Sequence, residues 1–427
     1  MLRRLDLRGL ADPAADLPRP VIDGNEPVVA VREIIADVRH RGDTALLELT
    51  ARFDGARLDA VRVDPAEVKA ALEAIDPSLR QALEVAAERI ARFHRAQLRE
   101  PHVVEDGGVT VRCWDQPLAR AGCYVPGGRA TYPSTVLMTA VVAQVAGVDE
   151  VVLAVPPGPD GHVPQATLAA AAVAGIDEVY AVGGAQAIAA LAYGTETIRP
   201  CDVIAGPGNI YVAIAKREVA PDVRVAAAFA GPSEVVVVAD GTAPPAAAAV
   251  DVIVQAEHGP DGLAWLVAWD DDAAAAIDAE IDRLVAEAPR ADDIRATLSE
   301  GGYLALVDGP AAAAAVVDRI APEHLEVMTA APDEVVSSVR NAGAIFVGPT
   351  SPASVGDYVA GPSHVLPTNA TARFGAALST DDFRKAMHVV EITDAGLAEL
   401  APHVAAIADA EGLAAHALSV RLPRSGS

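Results

Sequence analysis

Apolar residues recur at intervals of three and four along the first hundred positions. In PVVAVREIIADVRHRGD, Val31, Ile34, Ile35 and Val38 share one face of a 3.6-residue helix. Gly42 is placed to end that helix and Asp43 to cap the next, TALLELTARF. Two more helices are expected after Pro65 and Pro77, because the N–H that proline lacks has no partner in a first helical turn. Beyond Val109 short Val-rich runs alternate with Ala-rich stretches. Strands are predicted at VVLAV (151–155), EVYAV (178–182), DVIAG (202–206), EVVVVA (234–239), LAWLVAW (263–269), YLALV (303–307), HLEVM (324–328) and AIFVG (344–348). Runs that are apolar on both faces and alternate with helices predict parallel sheets covered by helices, an α/β fold. A break between two series of such units is expected near Ala230–Glu234. The last forty-five residues read as helices without a sheet, ending in the tail RSGS. Ala-Gly-Pro occurs at 205–207, 230–232 and 360–362, which fits either an internal repeat or ordinary turn chemistry.

Composition narrows the function classes. Of 427 residues, 33 are Lys or Arg and 59 Asp or Glu, a net charge of −26. At 52% hydrophobic the chain is no disordered acidic polymer, and at 4% aromatic its core must be built from aliphatic side chains. Roughly 150 residues per domain gives two to three domains. The acidity argues against nucleic acid and against anionic membranes as partners. Cys113, Cys123 and Cys201 are too few for a disulfide framework or a four-thiolate zinc site, so a metal would be held by His, Asp, Glu or amide oxygen. Charges interrupt MLRRLDLRGLADP, unlike a signal peptide, and Pro133, Gln144 and Gly147 make the charge-free stretch 130–148 a buried helix and not a span. A cytoplasmic protein is expected.

Among ten histidines, His40, His94, His403, His102 and His162 sit in charged helical or Pro/Gly-rich contexts and read as solvated, while His388 reads as structural. Four others have polar, Gly/Pro-flanked settings. Gln255 and His258, in QAEHGP, share the last turn of an Ala-rich helix and are a possible pair of metal ligands or a polar helix end. Glu323 and His324, in APEHLE, stand at the entrance to a strand, suited to shared proton transfer or to a plain surface position. Asp357 and His364, in SVGDYVAGPSH, follow AIFVG, and loops after the C-terminal ends of parallel strands are where α/β proteins place their sites. Glu411 and His416 would share no helix face unless Gly412 breaks the helix. The turn Gly206-Pro207-Gly208-Asn209 opens a helix where a phosphate could approach, but Tyr211 stands where a dinucleotide fingerprint has its third glycine.

Together these segments resemble the histidinol dehydrogenases. The resemblance runs from VREIIADVRHRGDTALLELTARFDG to AEGLAAHALSVRL. It includes GCYVPGGRATYPSTVLM, GGAQAIAALAYGT, AGPGNIYVAIAKR, AGPSEVVVVAD, QAEHGPDG, APEHLEV, NAGAIFVGPTSPASVGDYVAGPSHVLPT and DDFRK. It implies zinc-dependent, four-electron oxidation of L-histidinol to L-histidine through L-histidinal with two NAD+, closing histidine biosynthesis. The implied ligands of one zinc per subunit are Gln255, His258, Asp357 and His416, and the implied acid–base residues are Glu323 and His324. Ser233, His364 and Glu411 would join the metal ligands and His324 around the substrate, and Tyr124, Gln186 and Asn209 would meet NAD+. The implied fold is two related Rossmann-like α/β domains, one inserted in the other, with helical N- and C-terminal arms. Expected boundaries are an arm at 1–20, a first domain at 21–123 and 235–380, an inserted domain at 124–234, and a dimerisation arm at 381–427. In the implied homodimer, His416 and Glu411 complete the partner's site. Asn369-Ala370 replaces a usual Gly pair and Cys123 a usual aliphatic residue; neither is an implied ligand.

Overall fold

The computed structural model describes residues 1–15, 17–18, 27–127, 131–226, 231, 233–258 and 262–422. The His258 side chain, two residues of the second Ala-Gly-Pro and the tail RSGS lie outside the described residues. Two compact units form, one from residues 1–97 with 118–383, the other from 98–117 with 384–427.

The first unit begins with β1 (Arg3–Asp6), α1 (Val28–Arg41), α2 (Asp43–Phe53), α3 (Pro65–Ala74) and α4 (Pro77–Arg95). Asp64 and Asp76 cap the two proline-led helices by accepting from Ala66 and Ser78 N–H, each at 2.8 Å. Asp43 is not a cap. Gly42 precedes the helix, and the Asp43 carboxylate accepts instead from Thr197 N–H at 3.4 Å. After β2 (His102–Asp106) and β3 (Val109–Pro117) of the second unit come β4 (Arg120–Tyr124), α5 (Pro133–Val145), β5 (Glu150–Val155) and α6 (Gln165–Val173). Next are β6 (Val179–Ala181), α7 (Gly184–Tyr193), β7 (Val203–Ala205), α8 (Ile210–Val219) and β8 (Arg224–Val225). A second series holds β9 (Glu234–Ala239), α9 (Pro245–Val254), β10 (Leu263–Ala268), α10 (Asp271–Glu287), α11 (Ala291–Gly301) and β11 (Gly302–Leu306). It continues through α12 (Pro310–Ile320), β12 (His324–Met328), α13 (Pro332–Val336), β13 (Ala344–Val347) and α14 (Ala353–Tyr358). The chain ends with β14 (Arg384–Ile392), α15 (Asp394–Ala410) and α16 (Ala414–Arg421).

Two parallel sheets organise the first unit, β6-β5-β4-β7-β8 and β1-β11-β10-β9-β12-β13. Counting from the first strand of each series, both run 3-2-1-4-5, with β1 added at one edge of the larger. The order is the same because the two lobes are related Rossmann-like α/β units, and the smaller lies in sequence between β1 and β9 of the larger. Strands β9 to β12 are buried at every position, which is why they read as mostly apolar runs, broken only by Glu234, His324 and Glu326. Nine residues of α5 are buried, and no helix among the described residues is long and apolar enough to cross a membrane.

Three expectations need correction. Residues 3–6 pair with β11, Arg3 opposite Tyr303, so the expected N-terminal arm contains a sheet strand. Helices α1 to α4 pack on the five-stranded sheet, Val31 and Leu46 in one core with Tyr180, Val68 and Ile90 in another with Leu137, and the boundary expected at 123/124 cuts β4. The tail is not sheetless. In the second unit β14 pairs with β3 and β3 with β2, antiparallel, His388 opposite Cys113. Residues of β14 are half-buried or exposed throughout, so no apolar alternation announces it.

Candidate active site

At the N-terminal edge of the six-stranded sheet, four of the singled-out residues come together. His324, the first residue of β12, is 3% exposed. Its Nδ1 lies 3.3 Å from the Glu234 carbonyl oxygen and its Nε2 3.2 Å from Asp357 Oδ1. Glu323 Oε2 accepts from Glu234 N–H at 3.2 Å and lies 3.7 Å from His324 Nδ1. The first residue of β9 therefore holds both members of the pair through its backbone. The Phe346 ring backs the imidazole at 6.1 Å and 21°. Burial pushes the Glu323 carboxyl up to about 7, against a smaller opposing pull from His324. Burial would lower His324, but the carboxylates of Glu323 and Asp357 outweigh it and hold the imidazole at about 8. Both groups thus titrate near neutrality, where proton transfer is most effective.

Asp357 lies in α14 and Gln255 opens the 3-10 turn Gln255–His258 after α9. The Gln255 Nε2 donates to Asp357 Oδ2 at 3.4 Å. His364 Nδ1 bonds the Asp357 carbonyl, tying the Gly/Pro-rich segment back onto α14. Ser233 is half-buried just before β9. A cavity of about 490 Å³ has Glu257 and Tyr358, chain neighbours of His258 and Asp357, in its wall with Tyr132, Leu137 and Arg290. This cluster stands where the strands begin, as expected for Glu323 and His324, whereas Asp357 and His364 were expected beyond a strand's C-terminal end.

The residues expected to meet a dinucleotide lie on the other lobe. Tyr124 ends β4, and its hydroxyl accepts from Gly184 N–H at 3.2 Å. Gln186 is buried in α7. Asn209 caps α8, its Oδ1 accepting from Tyr211 and Val212 N–H at 3.1 and 3.2 Å. Beneath that turn the buried Lys216 donates to the Gly206 carbonyl. Glu411 and His416 are exposed in the second unit, where Gly412, at φ +73°, separates α15 from α16.

Among the described residues no group of three or more His, Cys, Asp or Glu side chains is arranged to hold a metal ion. Gln255 is an amide, the His258 side chain is outside the described residues, and His416 belongs to the second unit. One histidine departs from expectation. His94 is fully buried, its Nδ1 2.7 Å from Gln97 Oε1, its Nε2 accepting from Ser363 N–H at 3.1 Å. It thereby fixes the residue before His364. The signal was its place on the stripe Leu83, Ala86, Ile90, His94 of an amphipathic helix.

The family model described as Histidinol dehydrogenase matches residues 17–423. The chain is 48% identical to a histidinol dehydrogenase of Geobacillus kaustophilus over 92% of this chain and 93% of that one. It is equally similar, at 48%, to one of Thermobifida fusca, over 99% and 98%. The crystal structure of histidinol dehydrogenase from Elizabethkingia anophelis superposes with a TM-score of 0.94 at 33% identity, covering 98% and 97% of the two chains. The chain belongs to the histidinol dehydrogenase family.

Proposed function

We propose that this protein oxidises L-histidinol through L-histidinal to L-histidine, reducing two NAD+ in succession in one zinc-containing site. The observation that carries the reading is His324 held between the Glu234 carbonyl and Asp357 with the Glu323 carboxylate 3.7 Å away. His324 in its neutral form takes the hydroxyl proton as a hydride leaves the carbinol carbon for NAD+, giving the aldehyde. Glu323 then takes a proton from water as the water oxygen adds to the aldehyde carbon. The resulting hydrate gives its hydride to a second NAD+ and becomes the carboxylic acid. Tyr124, Gln186 and Asn209 are the dinucleotide contacts, and Ser233, His364 and Glu411 join the site's other residues around the substrate.

Gln255, His258, Asp357 and His416 would hold zinc. They offer only nitrogen and oxygen donors, as a site without thiolates must, and Gln255 and Asp357 face each other at 3.4 Å. When bound, the metal would orient the substrate through its imidazole and amine nitrogens. Glu411 and His416 act in the neighbouring subunit of a homodimer. Supporting this, the second unit exposes Val103, Val104, Val390, Ile407 and Leu418, large apolar side chains that a lone chain leaves in water. The test is histidinol-dependent NADH formation, lost on chelation and regained with Zn²⁺. Activity indifferent to metal stripping would contradict the zinc assignment.

A further inference from the structure

Three elements deliver the clustered residues: α9 leads directly into Gln255, its C-cap, β12 begins with His324, and α14 carries Asp357. Directly beneath the cluster, one buried pair touches all three. Asp251 of α9 is 4% exposed and Glu326 of β12 is 1% exposed. Glu326 stands two residues from His324 and shares its face of the strand, while Asp251 stands four residues before Gln255 and shares its face of the helix. Glu326 Oε1 accepts from the N–H of Ala353, the first residue of α14, at 2.9 Å. Asp357 lies four residues further along that helix, again on the same face.

The remaining oxygen decides the protonation. Glu326 Oε2 is wholly enclosed, and no N–H or O–H donor among the described residues reaches it. The Asp251 carboxyl is the side-chain hydrogen-bonding neighbour of Glu326. Two ionised carboxylates offer only acceptors, and burying both would leave them uncompensated. A proton between them turns the contact into a hydrogen bond. Burial and the neighbouring Asp251 hold Glu326 far above the ordinary carboxylate range, in the same sense.

We infer that Asp251 and Glu326 share one proton and act as a positioning pair that locks α9, β12 and α14 in register, so that Gln255, His324 and Asp357 meet. The inference rests on the proposed reading of those three as site residues. The pair touches no reacting atom; its effect is geometric, and displacement of catalytic groups by about 1 Å costs on the order of 100-fold in rate.

The test compares E326Q, D251N and E326L in the full-length protein. A Gln at 326 still accepts from Ala353 and donates to Asp251, and an Asn at 251 donates to Glu326. Both should keep kcat/KM for histidinol within about threefold of the parent, as retained hydrogen bonds would. E326L loses both contacts and should fall about 100-fold, chiefly in kcat. Amide hydrogen exchange across 351–358 supplies a readout independent of turnover, with protection of Ala353 kept in E326Q and lost in E326L. E326Q as impaired as E326L would overturn the shared proton, and E326L with parental kcat and protection would overturn the positioning role. Should E326L fail to fold, E326Q and D251N decide alone. Absence of histidinol turnover in the parent chain would sink the functional reading instead, leaving the exchange result to judge the pair.

Discussion

The two α/β lobes share one strand order, and the candidate site residues gather at opposite ends of it. In the five-stranded lobe the order reverses between β4 and β7, and the crevice is kept at the C-terminal edge. Tyr124 ends one strand and Gly206 follows the other, with φ +110° and no room for a Cβ beside the Tyr124 carbonyl. Its N-terminal edge is sealed. Arg120, the buried first residue of β4, pairs with Glu150 at 2.5 Å and with Glu178, and Asp202 accepts from Ala119 and Arg120 N–H at 2.9 and 3.0 Å. The six-stranded lobe inverts this. Asp240 plugs the C-terminal crevice between β9 and β12, accepting from Thr242 and Ala330 N–H at 2.9 Å each. At its N-terminal edge Glu234 stands where Arg120 stands in the other lobe, and its backbone holds Glu323 and His324. Strand order is shared, and what differs is which edge the side chains close.

The comparison can be broken first at the open edge. Replacing His324 by Asn should lower kcat by about 10³-fold without releasing metal, the scale of a lost acid–base group. The parent's rate should climb with pH from below 7 to above 8, because bases held at about 7 and about 8 work only once deprotonated. In H324N the limb near 8 should vanish. A parental rate in H324N would move the chemistry elsewhere.

The sealed edge comes next. R120M leaves Glu178 and part of Glu150 without their cation and should lower stability by about 3 kcal/mol, less than for a fully enclosed pair because Glu150 is 42% exposed. Chemical denaturation measures it. Turnover per folded molecule should hold, and a fall in kcat at unchanged stability would give this edge a role the comparison denies.

The smallest effect belongs to the dinucleotide turn. G206A forces a left-handed φ on alanine against the Tyr124 carbonyl, a strain of about 1–3 kcal/mol. If the turn contacts NAD+, its KM should rise about tenfold while the histidinol KM stays near the parental value. Equal rises in both would place the cofactor elsewhere.

Much of the fold was legible because buried parallel strands leave a plain trace. All eight Val-rich runs became strands, most of them central ones whose two faces must both be apolar. The antiparallel sheet of β2, β3 and β14 left none, because its faces are half-wet. Histidines paired within one segment with a carboxylate or amide gave the candidate chemistry, but single segments cannot show that Asp357 returns to His324. The buried polar residues were the hardest to read. Asp251 and Glu326 interrupt apolar runs as a surface position would, and only packing reveals that they meet. His94 misled for the same reason, its charged neighbours Arg92 and Arg95 facing solvent while it continues the buried stripe.

The central claim is that two adjacent groups at one edge divide the reaction, His324 serving the first hydride transfer and Glu323 the second. The most direct measurement is NADH formed per histidinol consumed, in the parent and in E323Q with an aldehyde trap present. The account predicts two in the parent and close to one in E323Q, with histidinal captured by the trap. Two in E323Q, or one in the parent, would contradict it.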